Sequence, residues 1–453
     1  MGGDQSNRFD VSARIAPSSP AGTRSAEQFA RAQTLQRQGQ VTSARQAYQE
    51  ILDVEPDHFG ALSAMGMLAG QANDLQRAVQ YFERAIAVEP RSPGAQCNLG
   101  LILKLLGQRQ AALEYFDRAI ALDVSNAVAY HCRAGAYNDL GRTGDALANY
   151  DQAVALNPKF VDAFYGRGEV LQQSGRLLEA IASYDQASRI KPDHFEAHAN
   201  KALALLALGR PIEALASCDQ ALALKPNQAP AHVLRGNIQR ALDRSDAALA
   251  SYDRALSIDP GNAEAHCGRG ATLQRFDRID EALASVERAI AINPDYAEAH
   301  FHRGYLLRVL NRFDSAAAAY KTVAALAPAF EFLPGNRLET NLHVCDWSEY
   351  DTLVREITVG VETGAHVSHP LIVMAVTASA RLQHKVARTW ASFACPANGA
   401  LGPIARRARS QRITLGYFSA DLHEHPVGRL LADLIETHDR SRFEVIAFSL
   451  GQK

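Results

Sequence analysis

Cysteine is scarce in this sequence of 453 residues: six are present, at 97, 132, 218, 267, 345 and 395, and no two stand in a C-x-x-C spacing. A disulfide framework or a cysteine-built zinc module is therefore not expected, and a reducing cytoplasm is the natural setting. Neither sign of charge is in surplus. Lys and Arg number 47 against 49 Asp and Glu, a formal net charge of -2. A chain that chiefly binds nucleic acid or an anionic membrane surface carries a basic excess, so neither partner is expected. Long apolar runs are missing as well. The stretch from Leu371 to Ala380 reaches only half of the about 20 residues that a membrane span needs. Residues 1–24 are rich in Gly, Ser, Pro and Arg and have no apolar segment, so they read as a disordered tail rather than a signal peptide. Apolar residues still make up 47%, enough to bury a sizeable core.

What the chain has in abundance is periodicity. Prolines stand at 56, 90, 158, 192, 226, 260, 294 and 328, each gap being 34 residues or twice that, with Val124 at the one vacant beat. Alanines keep the same period from Ala44 and Ala78 to Ala316. Bulky residues follow four places later, as in Tyr48, Phe82, Phe116, Tyr150, Tyr184, Tyr252 and Tyr320, with Cys218 and Val286 in two units. Nine units of 34 fill residues 25–330. Each unit splits into two apolar-periodic stretches, each long enough for a helix of a few turns. Between them stands Gly39, Gly107, Gly141, Gly175 or Gly209, or else Asn73, Asp243, Asp277 or Asn311. These residue types accept the left-handed conformation that ends a helix. Small residues recur in the first stretch, at Gly66, Gly100, Gly168, Gly236, Gly270 and Gly304 and at Ala32, Ala134 and Ala202, where helices must pack closely. The pattern resembles tetratricopeptide repeats, and that resemblance implies stacked helical pairs in a right-handed α-solenoid with a concave groove.

Such a groove is the expected surface for protein or peptide partners. Two further sets of residues keep the period. His198, His232, His266 and His300 fall in consecutive units. Stacked helices lie about 8–10 Å apart, too far for these rings to share one ion, so they read as packing residues and no metal site is expected. Arg133, Arg167, Arg235, Arg269 and Arg303 recur beside Asp117, Asp151, Asp185, Asp219 and Asp253, a pattern that predicts ion pairs between helices.

The period ends after Pro328. Residues 331–410 read as capping and linker helices, with Trp347 and Tyr350 covering the end of the solenoid and Asp346 or Ser348 as an N-cap. Residues 411–453 change character. The run from Arg412 to Ser419 is β-rich, Ala420 to Pro426 is a loop bearing Asp421, His423 and His425, Val427 to Thr437 has helical spacing, and Phe443 to Leu450 is again β-rich. Strand, loop, helix and strand make one βαβ unit, the opening of a Rossmann-like α/β lobe. Ligands of such sheets bind beyond the carboxyl ends of the strands, where Asp421, His423 and His425 fall.

Taken together, the repeats, Cys345-Asp346-Trp347 with Tyr350-Asp351, the run Gly416 to Asp421, His425-Pro426 and Phe443-Glu444-Val445 resemble the protein O-GlcNAc transferase family. The resemblance implies a superhelix that feeds acceptor proteins to a two-lobed glycosyltransferase, with UDP-GlcNAc as donor substrate and no other cofactor. By that resemblance His425 is the candidate acid–base or positioning residue, with Asp421 and His423 as weaker candidates. The family places an asparagine at the sixth position of each unit to hold the acceptor backbone. Here only Asn98 and Asn200 match, so these two are the candidate acceptor-binding residues. The nucleotide-holding residues of the second lobe have no counterpart before Lys453, so the chain is expected to be truncated and inactive by itself. Two other readings remain open: a non-catalytic scaffold for protein–protein interaction, and a relative of the protein O-fucosyltransferases.

Overall fold

The computed structural model describes residues 20–394, Ile413–Ser419 and Phe443–Ser449. From the second unit onward, first helices begin at Phe59, Pro93, Ala127, Val161, Phe195, Ala229, Ala263 and Ala297, the first residue of each unit. Second helices, from Val41–Val54 to Phe313–Leu326, follow within each unit. The chain enters through a longer helix, Pro20–Arg37, so helix reaches into the segment expected to be a disordered tail. Pro20 is the first residue of that helix, where its fixed φ suits the turn and its missing N–H costs nothing.

Between the two helices of every unit the predicted Gly, Asn or Asp takes a left-handed conformation, with φ from +56° to +78° in all nine. The following residue then reaches back to close the helix: Gln108 N–H donates to the Leu103 carbonyl at 2.9 Å, and Arg312 N–H to Leu307 at 2.8 Å. These are the C-terminal bonds that an extended exit would leave unmade.

The small residue of the first helix faces the bulky residue of the second. A Cβ built on Gly66 would lie 2.9 Å from the Phe82 ring, on Gly168 2.5 Å from Tyr184, and on Gly304 2.7 Å from Tyr320. Phe82, Tyr184 and Tyr320 are fully buried, so these rings fill the space that the missing side chains leave. Unit six makes the reverse choice and sets Ala202 against the smaller Cys218.

Each second helix packs on the first helix of the next unit, and successive first helices also touch, from Phe59–Gln71 through Ala297–Val309. Successive second helices make no comparable contact among the described residues. First helices thus lie on the inside of the curve and second helices on the outside.

The solenoid is closed by aliphatic packing. Helix Leu333–His343 lies against Phe313–Leu326, and Leu333 joins Tyr320, Val323 and Phe330 in one cluster. Helices Tyr350–Thr363, Pro370–Val376 and Ala380–Ala394 add Leu353, Ile357, Val361, Val373, Leu382 and Val386 around Leu338. Trp347 does not take the covering role expected of it: it is 60% exposed, with its ring centroid 5.4 Å from that of Tyr350. Cys345, at φ +55°, turns the chain outward, and Asp346 then accepts the Ser348 N–H at 2.9 Å. That turn consumes Asp346, and the helix begins after Glu349 with no side-chain cap.

Ile413–Ser419 (β1) and Phe443–Ser449 (β2) pair in parallel, with Ile413 opposite Phe443 and Ser419 opposite Ser449. Parallel neighbours need a crossover of a dozen or more residues. The connection, 420–442, lies outside the described residues.

Candidate protein-binding groove

The repeat lets each position of the first helix be assigned one contact. The fourth position reaches the turn that precedes its own helix. His232 Nε2–H donates to the Pro226 carbonyl at 2.8 Å and His300 Nε2–H to Pro294 at 2.8 Å. His198 reaches Pro192 at 3.0 Å and His266 reaches Pro260 at 3.1 Å. In unit three Gln96 does the same work with an amide, meeting Pro90 at 3.1 Å. A carbonyl only accepts, so each ring carries a proton on Nε2. The Nδ1 atoms of His198, His232 and His300 are buried and have no hydrogen-bond partner among the described residues. Burial also lowers the pKa of His266. These histidines seal the joints between units and are packing residues, as the spacing predicted.

The seventh position carries the predicted ion pairs, and they run between units. Arg133 meets Asp117 at 2.5 Å, Arg167 meets Asp151 at 2.6 Å, Arg235 meets Asp219 at 3.0 Å and Arg269 meets Asp253 at 2.8 Å. Lys201 serves Asp185 at 2.6 Å, while Arg303 turns to Glu287 at 3.8 Å. Three of these arginines also hold the second helix of their own unit, Arg133 through Asn149, Arg167 through Ser183 and Arg269 through Ser285, at 2.7–2.8 Å. Each of the three therefore ties three helices together and is not a free cation in the groove.

The fifth position of one unit meets the sixth of the next, a pairing the periodicity does not announce. Asn200 donates its amide to the Tyr165 hydroxyl at 3.0 Å, so part of its bonding capacity is already used. Asn98 is half-buried, and its side chain has no hydrogen-bond partner among the described residues. Cys97 lies against Cys132, which contributes to holding the Cys97 thiol well above its ordinary pKa. In units eight and nine the pairing brings Cys267 to His302, and Glu298, one turn before His302, joins them. The sulfur, one ring nitrogen and one carboxylate oxygen all lie within 4.8 Å of one another. His302 Nε2 is 3.8 Å from Glu298 Oε1. The Tyr296 hydroxyl donates to Glu298 Oε2 at 3.3 Å. The His302 ring beside it lowers the Glu298 pKa, and burial pushes the Cys267 thiol up to about 12. This cluster was not found from the sequence. Its one signal there is a Glu–His pair at helical i,i+4 spacing with a cysteine one unit earlier.

His425, Asp421 and His423 lie outside the described residues, so the catalytic candidates have no geometry to add. No helix among the described residues is long and apolar enough to cross a membrane.

Models of the tetratricopeptide repeat match residues 28–58, 63–127, 171–229 and 267–329, and a model of the TPR repeat matches 134–175 and 236–275. The chain is a tetratricopeptide-repeat protein across this span. A UDP-N-acetylglucosamine--peptide N-acetylglucosaminyltransferase of Caenorhabditis elegans is 28% identical over 123 residues, covering 24% of this chain and 11% of that protein. The chain thus spans about a tenth of the length of that relative. Among solved structures, YrrB, described as a TPR protein with an unusual peptide-binding site, is 27% identical with a TM-score of 0.37, over 41% of this chain and 96% of that one. The pilF protein of Pseudomonas aeruginosa is 18% identical with a TM-score of 0.42, over 49% and 96%. A tetratricopeptide repeat protein of Parabacteroides merdae is 19% identical with a TM-score of 0.42, over 55% and 98%.

Proposed function

We propose that the inner face of the solenoid binds extended segments of partner proteins, and that it does so as the acceptor-presenting part of a protein O-GlcNAc transferase-type chain. One observation carries the binding reading. The first helices abut in an unbroken series and present half-buried polar side chains such as Asn98, Glu298 and His302 along one face. A segment lying along them meets one similar surface per unit and needs no deep pocket.

The transferase assignment is supported by the sequence runs around Cys345, Gly416 and His425, by the parallel pairing of β1 and β2 as at the start of a Rossmann-like lobe, and by the 28% identical stretch. In this reading UDP-GlcNAc is the donor, and His425 positions or deprotonates the attacking hydroxyl with Asp421 and His423 beside it. Asn98 and Asn200 contact the acceptor. The scaffold reading has its own support. Asparagine is not continued along the sixth positions, and the Asn200 amide is engaged by Tyr165. A groove that binds proteins without an asparagine series needs no attached chemistry.

Two titrations separate these readings. The 453-residue chain should bind members of a random peptide library with affinities that fall in Asn98→Ala, and failure of every peptide to compete for the groove would overturn the binding reading. Calorimetry with UDP-GlcNAc then decides the finer question. Binding that His425→Ala weakens supports the transferase reading, and peptide binding with no response to the sugar nucleotide supports the scaffold.

A further inference from the structure

We propose that Cys267, Glu298 and His302 form a binding site for a single thiophilic divalent cation of the zinc class. Thiol, imidazole and carboxylate are the three donor types that zinc takes from proteins, and no harder cation favours that mixture. Glu298 and His302 stand one turn apart on helix Ala297–Val309, and Cys267 comes from the neighbouring helix Ala263–Leu273. Two rigid helices that already touch thus supply the ligands, so little backbone order has to be imposed on binding.

The distances suit the chemistry. Bonds of about 2.0–2.3 Å in a tetrahedral arrangement put ligand atoms roughly 3.3–3.8 Å apart. His302 Nε2 and Glu298 Oε1 stand at 3.8 Å, and all three donors fall within 4.8 Å. Rotation of the half-buried Glu298 side chain closes the remainder. Glu298 Oε2 is held by the Tyr296 hydroxyl, a contact that orients a ligating carboxylate and leaves Oε1 facing His302. His302 differs from its neighbour His300, whose Nε2 is committed to Pro294. Without an ion, Cys267 is a protonated thiol. Binding forms the sulfur–metal bond and releases that proton to solvent, leaving thiolate and carboxylate to neutralise the dication. The three side chains leave a fourth coordination position for water, as in zinc sites with three protein ligands.

The test uses the full chain carrying Cys345→Ser, which removes an exposed thiol. After chelation, Zn2+ is titrated against a chromophoric chelator, and Co2+ is followed by absorption. One equivalent of Zn2+ is expected, together with tetrahedral cobalt bands and a near-ultraviolet thiolate-to-cobalt charge-transfer band. Cys267→Ser should abolish the charge-transfer band. His302→Gln and Glu298→Gln, both at partly exposed positions, should each weaken Zn2+ binding by about tenfold or more while leaving the far-ultraviolet circular dichroism unchanged. Absence of the charge-transfer band overturns the proposal, as does stoichiometric binding that neither Gln variant changes.

Discussion

Gly236→Leu is the sharpest perturbation of the solenoid. A Cβ on Gly236 would lie 2.6 Å from Cε1, 2.8 Å from Cζ and 2.9 Å from Cδ1 of Tyr252. Three ring atoms would have to give way together, before the rest of the leucine is placed. Tyr252 has no easy retreat: it is fully buried and its hydroxyl donates to Asn237 Oδ1 at 2.6 Å. Overpacking of this kind costs about 1–3 kcal/mol. Leucine is also the better helix former by most of 1 kcal/mol, which offsets a part. The net expectation is a loss of about 1–2 kcal/mol. Gly94→Ala is the control. It lies in a first helix with nothing within 4 Å of the added Cβ, so it should stabilise by up to about 1 kcal/mol. Urea denaturation gives the sign of each change, and native-state hydrogen exchange gives its reach. Repeat stability is local plus nearest-neighbour, so Gly236→Leu should raise exchange in units six to eight, residues 195–296, and leave units one to four unchanged. Faster exchange spread evenly over all nine units, or equal and same-signed effects of the two substitutions, would refute the reasoning.

Three further outcomes follow from the joints between units. His232→Phe removes the donor to Pro226 and should cost about 1–3 kcal/mol by leaving that carbonyl unpaired, whereas His232→Gln should recover most of the loss, as Gln96 shows for Pro90; denaturant midpoints decide. Arg269→Ala breaks bonds to both Asp253 and Ser285 from a side chain only 27% exposed and should cost about 1 kcal/mol, while Arg278→Ala, whose pair with Glu281 sits in solvent, should leave the midpoint unmoved. Burial lowers the pKa of His194 and His266, so below the ordinary histidine value of about 6.5 the unfolded chain takes up protons that the native rings refuse. Stability should therefore be complete above about pH 7 and fall as the pH drops from 6.5 toward 5.5, and His266→Gln should make that fall shallower in urea melts at the two pH values.

The repeat itself was legible because the same residue types return at the same positions and do the same work from unit to unit. Left-handed residues such as Gly107 and Asn311 end the first helices as their types require, and Gly168 and Gly236 mark where Tyr184 and Tyr252 must pass. The arginine and aspartate series pair across units because both keep the same 34-residue spacing. These are short-range properties: helix length, turn chirality and side-chain volume act within a unit or across a single joint. Tertiary structure decided what no single unit contains. The rotation and shift between stacked first helices bring the fifth position of one unit to the sixth of the next, so that Asn200 meets Tyr165 and Cys267 meets His302 and Glu298. A change of a few ångströms in that stacking would leave the period intact and separate those groups. At the end of the solenoid the same holds for Trp347. Its size and apolarity suit a covering residue, but the turn at Cys345 and Asp346 points it into solvent while Leu333 and Leu338 fill the gap. Hydrophobicity favours burial of some large side chain there; only the path of the backbone selects which one.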